Sequence, residues 1–147
     1  MSATEMRELG QCSSSVALES RFGKAYNEEA FRYLLAIERK RADASCSSIV
    51  LVLVRRRQSM NVDRRFSRVV ASEVFAAMWL CFREIDFTGW LCQDRVAGAV
   101  LTIGAEPLHV DVVSVIDRRI ALALRERVLS GGELQVRVRR LCPAGAH

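Results

Sequence analysis

The sequence predicts an α+β fold of the ferredoxin-like kind, βαββαβ, preceded by one additional N-terminal helix. Three observations predict it. The run Ile49-Val-Leu-Val-Leu-Val54 is continuous and β-branched, the pattern of a central strand covered on both faces. Two stretches of helical apolar period flank a pair of short strands that meet at a polar turn. Near the end, Leu134, Val136 and Val138 alternate with Gln135, Arg137 and Arg139, as in a half-exposed strand. The order strand-helix-strand-strand-helix-strand is the split βαβ arrangement. It implies a four-stranded antiparallel sheet with helices on one face and the other face open, Arg137 and Arg139 pointing onto it.

Residues 1–20 mix Ser, Glu and Gly without a sustained period and read as a mobile lead-in or a short helix. The domain proper is expected over 21–147. From Tyr26 to Arg41, the residues Ala30, Phe31, Leu34, Leu35 and Ile37 keep helical spacing, with Asn27 as the N-cap. Ser45 to Ser48 breaks that helix ahead of the first strand. Asp63 to Phe82 forms the next helix, with Phe66, Val69, Val70, Val74, Ala77, Met78 and Cys81 on one stripe and Asp63 as its cap. Phe87 to Leu91 and Val96 to Ile103 are then two strands around Gln93-Asp94-Arg95. Gly104 to Pro107 punctuates the chain, and Val110 to Leu129 is a third helix, with Val113, Ile116, Ile120, Leu124 and Val128 on its apolar side. Gly131-Gly132 stops it. Trp79 and Trp90 read as packing residues.

At 147 residues, half of them apolar and only two of them proline, the chain can bury one core. Its longest apolar run is too short to cross a bilayer, and residues 1–20 lack the basic start and apolar stretch of a secretory signal, so a cytoplasmic protein is expected. The net charge of +5 is carried almost wholly by arginine, Lys24 and Lys40 being the only lysines. Arginine suits planar contacts to phosphate and guanine, but a GC-rich genome gives the same bias. Five cysteines occur without close pairing, and His109 and His147 are far apart. That pattern argues for free thiols and against a structural metal.

The segment Arg83-Glu-Ile-Asp86 through Cys92-Gln93-Asp94-Arg95-Val96 carries the functional signal. It resembles the central hairpin of a GGDEF domain, the diguanylate cyclase module, with Cys92, Gln93, Asp94, Arg95 and Val96 standing where the family has Gly-Gly-Asp-Glu-Phe. Asn27-Glu-Glu-Ala-Phe31 is similar to the Asn-x-x-x-Phe motif that opens the family's first helix, and the likeness runs from about Tyr26 to Pro143. Active members carry one more helix and strand than this sequence shows. The resemblance therefore implies a degenerate, trimmed GGDEF core, similar to divergent members of bacterial exopolysaccharide systems.

For chemistry, the resemblance implies loss. The family holds Mg²⁺ with carboxylates at the end of its first strand and in the signature turn, because the metal neutralises triphosphate charge. Here the strand ends Arg55-Arg56-Arg57, and the turn keeps Asp94 but has Arg95 in place of the following glutamate. The two glycines that let backbone approach a nucleotide are Cys92 and Gln93. The expectation is a catalytically inactive module, with no enzyme activity, no metal and no cofactor. Gly131-Gly132-Glu133-Leu134 is half a signature only by coincidence and reads as a helix stop.

Arg83 and Asp86 match the Arg-x-x-Asp pair with which many family members bind cyclic di-GMP, and the five residues between Asp86 and Cys92 keep the family's spacing. An arginine fork fits guanine O6 and N7 as well as phosphate, and a carboxylate accepts from guanine N–H groups. The resemblance thus implies a cyclic di-GMP receptor acting through a protein partner. A second reading stays open, in which Arg83 and Asp86 are structural and the domain is a ligand-free interaction or dimerisation scaffold. An RNA-binding module shares the strand order, but the strands lack the Arg/Lys-Gly-Phe/Tyr-x-Phe context in which such domains carry their base-stacking aromatics, which argues against nucleic acid.

Overall fold

A computed structural model of the chain describes residues 19–20, 23–56, 65–82, 85–103, 111–128 and 134–141. The elements are β1 (Glu19–Ser20), β2 (Gly23–Tyr26), α1 (Glu28–Ser45), β3 (Ser48–Arg56), α2 (Arg68–Cys81), β4 (Ile85–Cys92), β5 (Val96–Ile103), α3 (Val112–Arg127) and β6 (Leu134–Leu141). The six strands lie in the order β1-β2-β4-β5-β3-β6. β3 is the spine, antiparallel to β5 on one side and to β6 on the other, with Val52 opposite both Ala99 and Val138.

The sheet departs from the expected one in two ways. β2 adds a fifth strand and runs parallel to β4, with Ala25 opposite Thr88 and Tyr26 opposite Gly89; β1 extends that edge by pairing with β2. In addition, both faces of the sheet are covered. α2 and α3 pack on Val50, Val52, Val54, Trp90, Ala97 and Ala99, while α1 packs on Ile49, Leu51, Leu53, Phe87 and Val100. The expected open face is therefore occupied by α1. The physical reason is in β3 itself: Ser48 to Val54 are all buried, and a strand apolar on both faces requires a layer on each. Arg137 and Arg139 do lie exposed on the α1 side, opposite Leu53 and Leu51, but on the outermost strand.

α1 begins where expected, Asn27 Oδ1 accepting from the Ala30 amide at 2.9 Å. It ends at Cys46, a left-handed residue at φ 56°. α2 is shorter than its sequence pattern suggests. Its cap is Ser67, which accepts from the Val70 amide, and Phe66 precedes the helix as a buried anchor instead of riding on it. The expected cap, Asp63, lies outside the described residues. α3 starts at the Asp111 cap and buries Ile116, Ile120 and Leu124. Trp90 is fully buried between Phe66 and Phe75, and Trp79 is half-buried with its indole N–H on the Thr88 hydroxyl at 3.1 Å. The segments 104–110 and 129–133, which contain the punctuating glycines, lie outside the described residues.

α1 is seated by one side chain. Phe31 lies on the glycine pair formed by Gly89 of β4 and Gly98 of β5, which face one another across the ladder. A Cβ on Gly98 would meet the tip of the Phe31 ring at 2.8 Å. A Cβ on Gly89 would meet the Tyr26 carbonyl at 2.6 Å and the same ring at 2.9 Å. Gly98→Ala is expected to cost about 1–3 kcal/mol in chemical denaturation, because overpacking forces the ring off its site. Shortening the ring in Phe31→Leu should relieve part of that cost in a double-mutant cycle. Gly89→Ala should not be relieved in this way, since its nearest obstacle is backbone.

Candidate functional site

The β4–β5 turn is where the sequence places it. The Arg95 amide closes it on the Cys92 carbonyl at 3.0 Å, and Asp94 takes a left-handed conformation at φ 61°. Asp and Asn tolerate that region better than other side chains, and glycine better still. Asp94 is 2% exposed. Its carboxylate meets Arg65 Nη2 at 3.2 Å and accepts from Gln93 Nε2 at 3.2 Å, and its carbonyl accepts from the Phe66 amide at 2.7 Å. Asp94 thus fastens the hairpin to the segment entering α2.

On the other flank the turn meets the start of α1. The Gln93 amide donates to Glu28 Oε1 at 2.7 Å, and Gln93 Oε1 accepts from the Glu28 amide at 3.0 Å. Glu28 opens the helix, so its amide has no partner within the helix and its carboxylate sits at the positive end of the dipole. One turn on, Arg32 donates from Nε to the Leu91 carbonyl at 2.9 Å and from Nη2 to Cys92 Sγ at 3.6 Å. Leu91 is the extra residue of a bulge between Trp90 and Cys92, which turns its carbonyl out of the ladder toward Arg32. Side chains of Gln93, Glu28 and Arg32 therefore occupy the flank that a glycine turn would leave bare.

These residues do not fit a Mg²⁺ site. Asp94 is buried and already paired, Arg95 beside it is exposed, and β3 ends in Arg55 and Arg56, the latter donating to the Arg65 carbonyl at 3.1 Å. Among the described residues no three His, Cys, Asp or Glu side chains gather as metal ligands would. Val96 lies in the core on the α1 side. Cys46, Cys81 and Cys92 are free thiols; burial pushes the Cys81 thiol up, and Arg119 offsets this in part.

Asp86 stands at the other end of β4, about 20 Å from the turn at the rise of an extended strand. It is exposed and is the extra residue of a second bulge, between Ile85 and Phe87. Its Oδ2 accepts from the Thr102 hydroxyl of β5. Arg83 lies outside the described residues, so the expected pair is placed only at its carboxylate. The partners of the turn, Glu28, Arg32 and Arg65, carry no signal in the sequence, being at least 29 residues away from the groups they bind.

The described architecture is similar to a known one. The GGDEF domain of FimX from Pseudomonas aeruginosa superposes with a TM-score of 0.54 at 12% identity, covering 88% of this chain and 83% of that one. No family model and no curated protein matches the sequence. The chain therefore has a GGDEF-like fold. No described helix is long and apolar enough to cross a membrane.

The Glu28–Gln93 clasp is expected to stabilise the domain by about 1 kcal/mol, Glu28 being partly solvated. Glu28→Ala and Gln93→Ala should each lower the denaturation midpoint, and the double variant should lose less than the sum. Strict additivity would show that the two side chains act separately.

Proposed function

We propose that this chain is a GGDEF-like regulatory module that performs no cyclase chemistry. In this reading it receives cyclic di-GMP at Arg83 and Asp86 and passes the bound state to a protein partner in the cytoplasm. The observation that carries the inactive reading is Asp94. The carboxylate remaining in the degenerate turn is buried against Arg65 and Gln93, where it cannot also present itself to a metal–triphosphate complex. The flank of the turn is filled by Gln93 and Arg32, which opposes close approach of a nucleotide to its backbone.

The receptor reading draws support from Asp86. A bulge turns its carboxylate to solvent far from the turn, and bulges commonly re-aim side chains at functional sites. A ligand-free scaffold is the second reading, favoured by the hydrogen bond that Asp86 already takes from Thr102. Release of that hydroxyl is part of what a guanine edge must compensate.

Calorimetric titration with cyclic di-GMP separates the two. The receptor reading expects saturable micromolar binding, weakened about tenfold or more in Arg83→Ala and Asp86→Ala, since a hydrogen bond to a charged group contributes about 1.5–3 kcal/mol. Absence of heat from the folded wild-type protein leaves the scaffold reading. Incubation with GTP and Mg²⁺ or Mn²⁺ is expected to yield no cyclic di-GMP; turnover would overturn the inactive assignment.

A further inference from the structure

β6 is the outermost strand on its side of the sheet and pairs with β3 alone among the described residues. Half of its peptide groups therefore face outward, the arrangement that accepts an added strand. Its two faces differ. Leu134, Val136 and Val138 turn toward α3, and beside them runs a groove of about 450 Å³ whose lining joins Leu124, Val128, Leu134 and Val136 to Asp117, Arg125 and Gln135. On the opposite face, Arg137 and Arg139 are exposed, and α1 lies over β2, β3 and β4 rather than over them. No described carboxylate pairs with either arginine, and β6 itself contains no acid.

We propose that β6 is a docking edge for an extended peptide in which apolar and acidic residues alternate. Successive side chains of an added strand point to opposite faces. One set enters the groove between α3 and β6, and the other lies beside Arg137 and Arg139. The charge selects the occupant. A second copy pairing edge to edge in a register centred on Val138, with the helical layers continuous, would set Arg137 of one copy against Arg139 of the other, and like charges facing one another across a ladder are destabilising. An acidic strand supplies the missing counter-charges. The surface lies at the opposite edge of the sheet from β2 and uses neither Arg83 nor Asp86, so it stands independently of the nucleotide reading.

The test is fluorescence anisotropy of the full chain with a labelled peptide of alternating Val and Glu. Its comparison peptides are a Lys-for-Glu version and a version N-methylated on alternate residues, with the methyl groups on the pairing edge. The expected result is a saturable rise that weakens with salt. Binding should fall by about tenfold or more in Arg137→Glu/Arg139→Glu, as charge reversal at a close pair does. Neither comparison peptide should bind. Circular dichroism checks that the variant is folded; should it not be, the two comparison peptides on wild-type protein still decide. The proposal is overturned by absence of saturable binding, by equal affinity for the Lys peptide, or by equal affinity for the N-methylated one. The last result would mean charge contact without strand addition. Binding of an oligouridine at the same arginines, without binding of the peptide, would overturn it equally.

Discussion

Phe31 needs a floor without side chains, and the Gly89–Gly98 pair supplies it. Two strands that carried Cβ atoms there would hold α1 away from the sheet. With the ring seated, α1 crosses the face of β3 and β4 that α2 and α3 leave uncovered, and the all-apolar β3 is buried on both sides. The same seating fixes the position of the helix start one turn earlier, which brings Glu28 to Gln93 and Arg32 to Leu91. The state of the hairpin turn thus follows from a packing contact in the middle of the sheet.

A glycine turn leaves its backbone amides bare. Here the groups of the turn are engaged: the Gln93 amide by Glu28, the Asp94 carboxylate by Arg65, the Asp94 carbonyl by Phe66. Asp94 keeps a left-handed backbone that favours glycine, at a cost its buried contacts offset. The turn joins the start of α1 to the approach to α2 and works as a structural joint.

Much of this was legible in the sequence, but unevenly. Periodicity located α1, β3, both hairpin strands and β6, and Asn27 marked its helix start. The continuous run Ile49 to Val54 also indicated cover on both faces, and a sheet with helices on one face alone could not satisfy it. β2 was not legible, because four residues ending at Tyr26 carry no period and gain strand geometry only by pairing with β4, more than 60 residues away. The choice of Ser67 rather than Asp63 as cap rests on the burial of Phe66, a tertiary fact. The site divides in the same way. The position of the hairpin turn between its two strands could be read from the pattern, whereas Glu28, Arg32 and Arg65, which bind the turn, come from distant segments.

The chain positions of these contacts imply an order of assembly. β4 and β5 are joined by three residues and share a ladder from Cys92–Val96 to Ile85–Leu101, so the hairpin closes at small entropic expense. The parallel pairing of β2 and the clasp from Glu28 to Gln93, which spans 65 residues, require the N-terminal third to return across a sheet that must already exist. The closure of the turn is therefore local in sequence, whereas its seal is long-range. In a partly opened molecule, with α1 lifted, Glu28 and Arg32 no longer guard the hairpin tip, and the Gln93 amide faces water.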